Sequence, residues 1–331
     1  MFKSLFKLFI ILFLTLNFMY AEINKKKVVY INSYHSGYSW SDSIQNGILD
    51  VFNIKQKNGI LDFSNSKVEL KIIEMDTKRN KKEEYKKRVS LEVKNKIDKY
   101  KPDLIITSDD NAAKYVIVPY FYNHKIPVIF SGVNADPAEY GFPTKNVTGM
   151  IETTLVQELI DTIRPYSKGT KIGLLNSNDF TSPKVLAQFE KILKQDIKPY
   201  FVNNKEEWKE SYLQAQEDVD ILFLGLSAAA IDFKKNYNEI SSFVKKHTKI
   251  PSVSWDKITS GISVLTFQKI GEEQGEWAAS RALEVLSGRE ISKINITSNK
   301  RANIFINTSL SKSLNIVWPF FLINDSVLVG E

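Results

Sequence analysis

A chain of 331 residues exceeds the roughly 100 to 200 residues that one hydrophobic core usually serves, so two domains are expected. Hydrophobic residues at 43% and charged residues at 25% exclude wholesale disorder and several membrane spans. The 45 Lys+Arg against 38 Asp+Glu leave a mild net +7, and the absence of cysteine excludes disulfides, thiol nucleophiles and cysteine metal sites.

At the start of the chain, Lys3 and Lys7 precede an apolar run over 8–18 and then Met19-Tyr20-Ala21. This is the layout of a signal peptide, and the apolar run is shorter than the ~20 residues a spanning helix needs; Met19 suits the position two before the cut poorly, so an uncleaved N-terminal anchor is the alternative. A mature chain beginning near Glu22 in the periplasm is expected, without lipid anchoring because no cysteine follows. From Val28 onward, β-branched runs at 28–32, 68–73, 104–107 and 128–130 predict buried strands, with helices between them at 41–52, 81–100 and 111–122. Such alternation predicts a parallel sheet with right-handed crossovers. The basic stretch 78–88 also holds Glu83 and Glu84, and Tyr85, Val89, Val93, Ile97 and Tyr100 follow at near-helical spacing. It therefore reads as a solvated helix face and not as a nucleic-acid patch.

After Val147-Thr148-Gly149 the pattern restarts. A helical stripe over 155–163 stops at Pro165, and a strand follows at 171–175. Then come a helix at 183–194 with Pro183 in its first turn, a strand at 199–202 and a helix at 205–216. A strand at 221–224, a helix at 232–247 and a strand at 250–254 complete a second set. Next are a strand at 263–267, a helix at 272–287 stopped by Gly288, an extended stretch over 294–306 and an apolar tail. Two such sets without a flexible linker predict two α/β lobes.

No phosphate loop, dinucleotide fingerprint or zinc-protease helix occurs, and Gly225-Leu226-Ser227-Ala228-Ala229 misses a serine-hydrolase elbow at its last residue. Each missing motif lowers the expectation of catalysis, and no cofactor is expected; of the three widely separated histidines, His124 and His247 read as surface or turn residues, whereas His35 lies in a loop directly after a strand. In open parallel sheets, ligands bind beyond the carboxyl ends of strands. Those loops are polar and aromatic here: residues 33–40, 108–111 and 131–134 in the first set, and 176–182, 225–227 and 254–256 in the second. Each Ser, Asp or Asn in them could cap a helix or touch a ligand. Asp109 and Asp110 could form a metal site or acid–base dyad, cap a helix, or pair with a cationic ligand group. Neighbours at a helix start point apart, which disfavours the first of these.

The segments Tyr30-Ile31-Asn32-Ser33-Tyr34-His35-Ser36-Gly37-Tyr38-Ser39-Trp40, Ile105-Ile106-Thr107-Ser108-Asp109-Asp110-Asn111-Ala112 and Pro127-Val128-Ile129-Phe130-Ser131-Gly132-Val133-Asn134 resemble the ABC-transporter substrate-binding protein family that includes tryptophan- and tyrosine-binding members. The likeness continues through Ile250-Pro251-Ser252-Val253-Ser254-Trp255-Asp256, Gly271-Glu272-Glu273-Gln274-Gly275 and Leu314-Asn315-Ile316. It implies a type I periplasmic-binding-protein fold, two Rossmann-like lobes joined by three crossing segments, and no catalysis. One lobe would comprise 22–149 with about 262–295, the other 150–261 with about 296–331. The ligand-facing positions implied are Ser33, Tyr34, Tyr38, Trp40, Asp109, Asp110, Asn134, Ser227 and Asp256, with Trp255 beside them. Where many relatives carry a glycine-rich stretch after the aspartate, this chain has Lys257-Ile258-Thr259-Ser260-Gly261, so ligand identity does not transfer.

The expectation is a monomeric periplasmic receptor that captures an amino-acid-like or aromatic small molecule in an interlobe cleft for an ABC permease. Asp109 or Asp256 would hold an ammonium group, and Ser33, Asn134 and helix amides a carboxylate. The rival keeps the fold and makes the protein a ligand-sensing subunit acting on a membrane histidine kinase or cyclase.

Overall fold

The computed structural model describes residues 25–134 and 136–330. The signal-peptide reading of 1–21 lies outside them. The chain separates into two compact units, one comprising the chain up to Thr153 together with Gly271–Asn299, the other Thr154–Ile270 with Lys300–Glu331.

In the first unit the chain forms β1 (Lys26–Asn32), a hairpin of β2 (Lys55–Lys57) and β3 (Ile60–Asp62), then β4 (Val68–Glu74), β5 (Leu104–Ser108), β6 (Val128–Val133) and β7 (Val147–Ile151). The main sheet runs β4-β1-β5-β6-β7 and ends on the late strand Thr297–Ser298, which is β13 in chain order; every pairing is parallel. Successive side chains of a strand point to opposite faces, so a strand buried on both is apolar over most of its length, with buried polar residues such as Asn32, Thr107, Ser108 and Ser131 confined to the ends or hydrogen-bonded. Val28 to Asn32 and the whole of β5 and β6 are buried accordingly. On one face, helix α1 (Ser39–Val51) and the late helix Gly271–Leu286 (α8) pack Ile44, Ile48, Ala278, Ala279 and Ala282 against Val28, Tyr30 and Ile106. On the other, α2 (Glu83–Tyr100) and the segment Ala113–Phe121 pack Val93, Ile97, Val116 and Phe121 against Val29, Ile31 and Ile105. Each fully buried Val, Leu or Ile contributes about 1.5–3 kcal/mol relative to exposure.

The two helices on the first face meet backbone to backbone. A Cβ on Gly47 would lie 2.3 Å from the Glu272 carbonyl oxygen, and one on Gly275 1.9 Å from that of Ile44.

The second unit contains β8 (Ile172–Ser177), β9 (Ile197–Val202), β10 (Ile221–Leu224), β11 (Ser252–Ser254), β12 (Leu265–Lys269), β14 (Ala302–Asn307) and β15 (Ser326–Val329). Its order is β9-β8-β10-β11-β12-β14-β15, parallel except where β14 returns antiparallel to β12. Trp208, Tyr212, Phe189 and Phe223 anchor its core, each fully or almost fully buried. Among the described residues no helix is long and apolar enough to cross a membrane.

Four differences from the sequence reading have local causes. Residues 262–270, assigned to the first lobe, lie in the second unit, because β12 pairs with β11 through Val253 and Leu265 and with β14 through Leu265 and Ile306. Similarly, 150–153 and 296–299 lie in the first unit, where Met150 pairs with Thr297 and Ile151 with Ser298. The helix expected at 111–122 is a short turn, α3 (Asp109–Ala112), followed by a π-helix over Ala113–Phe121 that contains Pro119. Proline has no N–H to give to the α-helical ladder, and wider bonding accommodates it. The β2–β3 hairpin, unassigned from sequence, turns through Asn58 (φ 51°) and Gly59 (φ 78°), the left-handed pair that tight hairpins favour.

Candidate functional site

In the first unit β4 lies on one side of β1 and β5 on the other, which makes the end of β1 a topological switch point. Register sets Asn32 beside both Glu74 and Ser108, and Ser108 beside Ser131, so the ends of β1, β4 and β5 finish in one row and β6 runs two residues beyond it.

The loop after β1 is organised by acceptors at its base. Asn32 Oδ1 accepts from the Tyr34 N–H at 2.8 Å and from the Ser41 hydroxyl at 3.0 Å. Glu74 accepts from the Ser36 N–H at 2.9 Å and from the Ser36 hydroxyl, while Asp42 accepts from the Gly37 N–H at 3.0 Å. Gly37 supplies the φ of +86° that the turn requires. Tyr34 and Tyr38 then meet edge to face at 5.3 Å, and the Lys78 ammonium stands 4.9 and 4.7 Å from their ring centres. Ser33 has a different job. Completely buried, it donates to the Ser108 carbonyl at 2.5 Å and accepts from the Ala112 N–H at 2.8 Å, tying β1 to the turn after β5. Its hydroxyl is thus engaged within the fold, not held open for a ligand carboxylate.

That turn carries Asp109, which is 1% exposed and sits in the left-handed region at φ +65°. Asp tolerates this region better than most residues because its short side chain can hydrogen-bond locally. The Trp40 indole N–H donates to Asp109 Oδ1 at 3.0 Å, and Asp109 Oδ2 is buried without a hydrogen-bond partner. A Cβ on Gly132 (φ +64°) would approach Oδ1 to 3.3 Å, so β6 is kept bare where it passes the carboxyl. Gly132 is itself held by the Gln274 side chain, which accepts from its N–H at 2.9 Å and donates to the Ile151 carbonyl at 3.2 Å.

Asp110 accepts from the Tyr140 hydroxyl at 2.9 Å and from the Asn134 N–H at 3.2 Å. The Asn134 side-chain amide donates to Glu152 Oε2 at 3.3 Å. Three carboxyl groups therefore share one neighbourhood with Tyr34, Trp40 and Tyr140. Sequence reasoning missed Glu152, Tyr140 and Gln274. Glu152 directly follows β7, a strand-end position of the same kind as those already chosen. Burial first, then the charge of Glu152, pushes Asp109 well above the usual carboxylate range; the hydrogen bonds from Trp40 and Ser108 pull the other way, and Asp110 adds to the rise. Burial, and next the charge of Asp109, likewise raises the Tyr34 phenol.

In the second unit the named residues have separate local roles. Ser227, buried at φ +47°, donates its N–H to Asn176 Oδ1 at 3.1 Å. Trp255 packs edge-on to Phe189 at 5.1 Å and near Phe223 at 6.2 Å. Asp256 caps the 3₁₀ turn Lys257–Thr259, accepting from the Ile258 N–H at 2.9 Å. Beside these loops lies a mainly apolar cavity of about 760 Å³, lined by Leu226, Ile231, Phe233, Tyr237 and Ile258. Among the described residues no group of three or more His, Cys, Asp or Glu side chains is arranged to hold a metal ion.

Two α/β units of this construction, with the chain passing three times between them, are the architecture of type I periplasmic binding proteins. The chain belongs to the ABC transporter substrate binding protein family, whose model matches residues 53–329. That family consists of solute-binding transport proteins and not of enzymes, and an extracytoplasmic location is typical of it. A tyrosine-binding protein from Clostridioides difficile strain R20291 is 25% identical over 236 residues, or 65% of this chain. The match spans 64% of that relative, just under two thirds of its length. Among solved structures, the ligand-free, open form of a substrate-binding protein with adhesive properties from Clostridium difficile aligns with a TM-score of 0.68 at 16% identity, over 92% of this chain and 99% of that one. An ABC domain from Streptococcus pneumonia in complex with L-Trp aligns with a TM-score of 0.52 at 16% identity over the same shares. A periplasmic ribose ABC transporter protein from Conexibacter woesei reaches 0.53 at 14% identity, over 88% and 95%.

Proposed function

We propose that the protein captures a small ligand with an amine and an aromatic or amino-acid-like body, and passes it to an ABC permease outside the cytoplasmic membrane. The observation that carries this reading is the Asp109 carboxyl, whose Oδ2 is buried and unpartnered while its Oδ1 is held by the Trp40 indole. A buried carboxylate is stable only when matched by a cation or a set of donors, and an incoming ammonium supplies both. Tyr34 and Trp40 give the ligand aromatic surface, and Asp110, Asn134 and Glu152 orient its remaining polar groups. The tyrosine-binding relative and the L-Trp complex favour an aromatic amino acid; the ribose-transporter likeness shows that the fold serves other solutes too. Residues 1–21 are proposed as the export signal.

Native mass spectrometry of protein purified without refolding tests this directly. A copurified small molecule with a basic nitrogen is the expected result, and Asp109→Ala should be recovered without it. Wild-type protein that comes empty, and whose melting temperature no amino acid, amine or sugar raises, would defeat the capture reading.

A further inference from the structure

A carboxyl group that is 1% exposed, with one oxygen lacking a partner, is either ionised and matched by a cation or protonated and neutral. The groups around Asp109 point to the second state in the free protein. From the end of β7 comes Glu152; from its own turn, Asp110; from β1 and its loop, the Tyr30 and Tyr34 phenols. Helix α1 contributes the neutral Trp40 indole, β5 contributes Ser108, and β6 contributes the bare backbone of Gly132, backed by the neutral Gln274 of α8. The Lys78 ammonium is directed over the Tyr34 and Tyr38 rings. The charged groups that act most on Asp109 are thus carboxylates, and they oppose a further negative charge. Trp40 and Gly132 confine Oδ1, so Oδ2 is the oxygen left to carry the proton.

We propose that a cationic nitrogen of the ligand replaces a proton on Asp109 Oδ2, so that each capture event releases one proton. This rests on the reading of the protein as a solute receptor and specifies the charge of what it takes. The O–H bond of the free carboxyl breaks, the proton passes to solvent, and the ammonium donates hydrogen bonds to the carboxylate that forms. One positive charge enters as one leaves, so the buried site never holds an unmatched ion. A neutral or anionic analogue cannot make this exchange. Affinity for an amine must therefore rise with pH, by about tenfold per unit while Asp109 is protonated in the free protein.

The test uses three probes that share one ring system, L-tryptophan, tryptamine and indole-3-propionate, titrated calorimetrically into full-length exported protein freed of copurified ligand by dialysis. At least one amine is expected to bind and the propionate is not. The Kd of the amine should tighten as pH rises, about tenfold per unit over the range in which Asp109 is protonated in the free protein, with one proton released there as judged by heats in buffers of different ionisation enthalpy. Asp109→Asn should lose the amine.

A second measurement needs no ligand. Asp109 folds with its pKa above the unfolded value of about 3.9, so the folded state holds the proton that the unfolded state gives up. Its contribution to stability is present below the unfolded pKa and is lost as pH rises toward the folded one. The neutral isostere in Asp109→Asn lacks this loss, and its melting temperature should exceed wild type by a margin that widens from acidic to neutral pH. An amine bound with a flat pH profile, propionate bound as tightly as the amine, no amine bound at all, or Asp109→Asn melting in parallel with wild type at every pH would each overturn the exchange. A copurified ligand without a basic nitrogen would overturn it while leaving the receptor reading intact.

Discussion

Asp109 and Asp256 both follow a strand, yet their surroundings give them different physics. Asp256 has an N–H of the next turn to accept from, and a cap of this kind is worth about 1 kcal/mol. Asp256→Ala should lower the unfolding free energy of the unliganded protein by about that amount, while Asp256→Asn should keep most of it. A denaturant curve that does not move, together with weakened ligand binding, would move Asp256 from cap to ligand contact. At Asp109 the equivalent experiment removes the neighbour. Trp40→Phe keeps an aromatic ring but deletes the indole N–H that donates to Oδ1, and losing that donor to a buried oxygen should cost about 1–3 kcal/mol in chemical denaturation. An unchanged midpoint would mean that the carboxyl finds another donor.

Among the elements, the α1–α8 contact is the most exacting, because two backbones touch where Gly47 and Gly275 lie. Each glycine forgoes the ~0.5–1 kcal/mol by which alanine favours a helix interior, which is sensible only where no Cβ fits. Gly275→Ala should therefore destabilise the protein by about 1–3 kcal/mol despite the better helix former, as measured by urea unfolding. A stabilised variant would show that the helices can part without consequence. The same helix carries Gln274, whose hydrogen bonds to Gly132 and Ile151 steady the strand ends beside Asp109, so this packing has a direct line to the site.

At the scale of the molecule, neither unit is a continuous piece of chain. Residues 25–153 hold β1 to β7 but lack α8, whose Ala278, Ala279 and Ala282 cover one face of the sheet. A fragment of 25–153 alone should expose that face and melt without cooperativity, whereas the same fragment joined by a short linker to 271–299 should melt sharply and resist protease. Cooperative melting of the shorter fragment, followed by circular dichroism, would show that α8 is dispensable to the core.

Much of this architecture was legible in the sequence because its signals are local. The β-branched runs of β1, β5 and β6, the periodicity of α2 and the polar strand ends all follow from side-chain chemistry within a few residues, and they marked the loops 33–40, 108–111 and 131–134, within which the family resemblance implied Tyr34, Trp40, Asp109, Asp110 and Asn134 as ligand-facing. What only the tertiary structure decided depends on distance in the chain. The burial of Asp109 needs Trp40, 69 residues earlier, and the bare Gly132 on the neighbouring strand. The carboxyl cluster needs Glu152 brought beside it by parallel pairing of β6 and β7. Ser33 and Asp256 looked like ligand contacts because a hydroxyl or carboxylate after a strand suits either role, and only the fold shows which backbone amide or carbonyl engages each. A residue's type sets what it can bond; the packing of remote strands sets what is within reach.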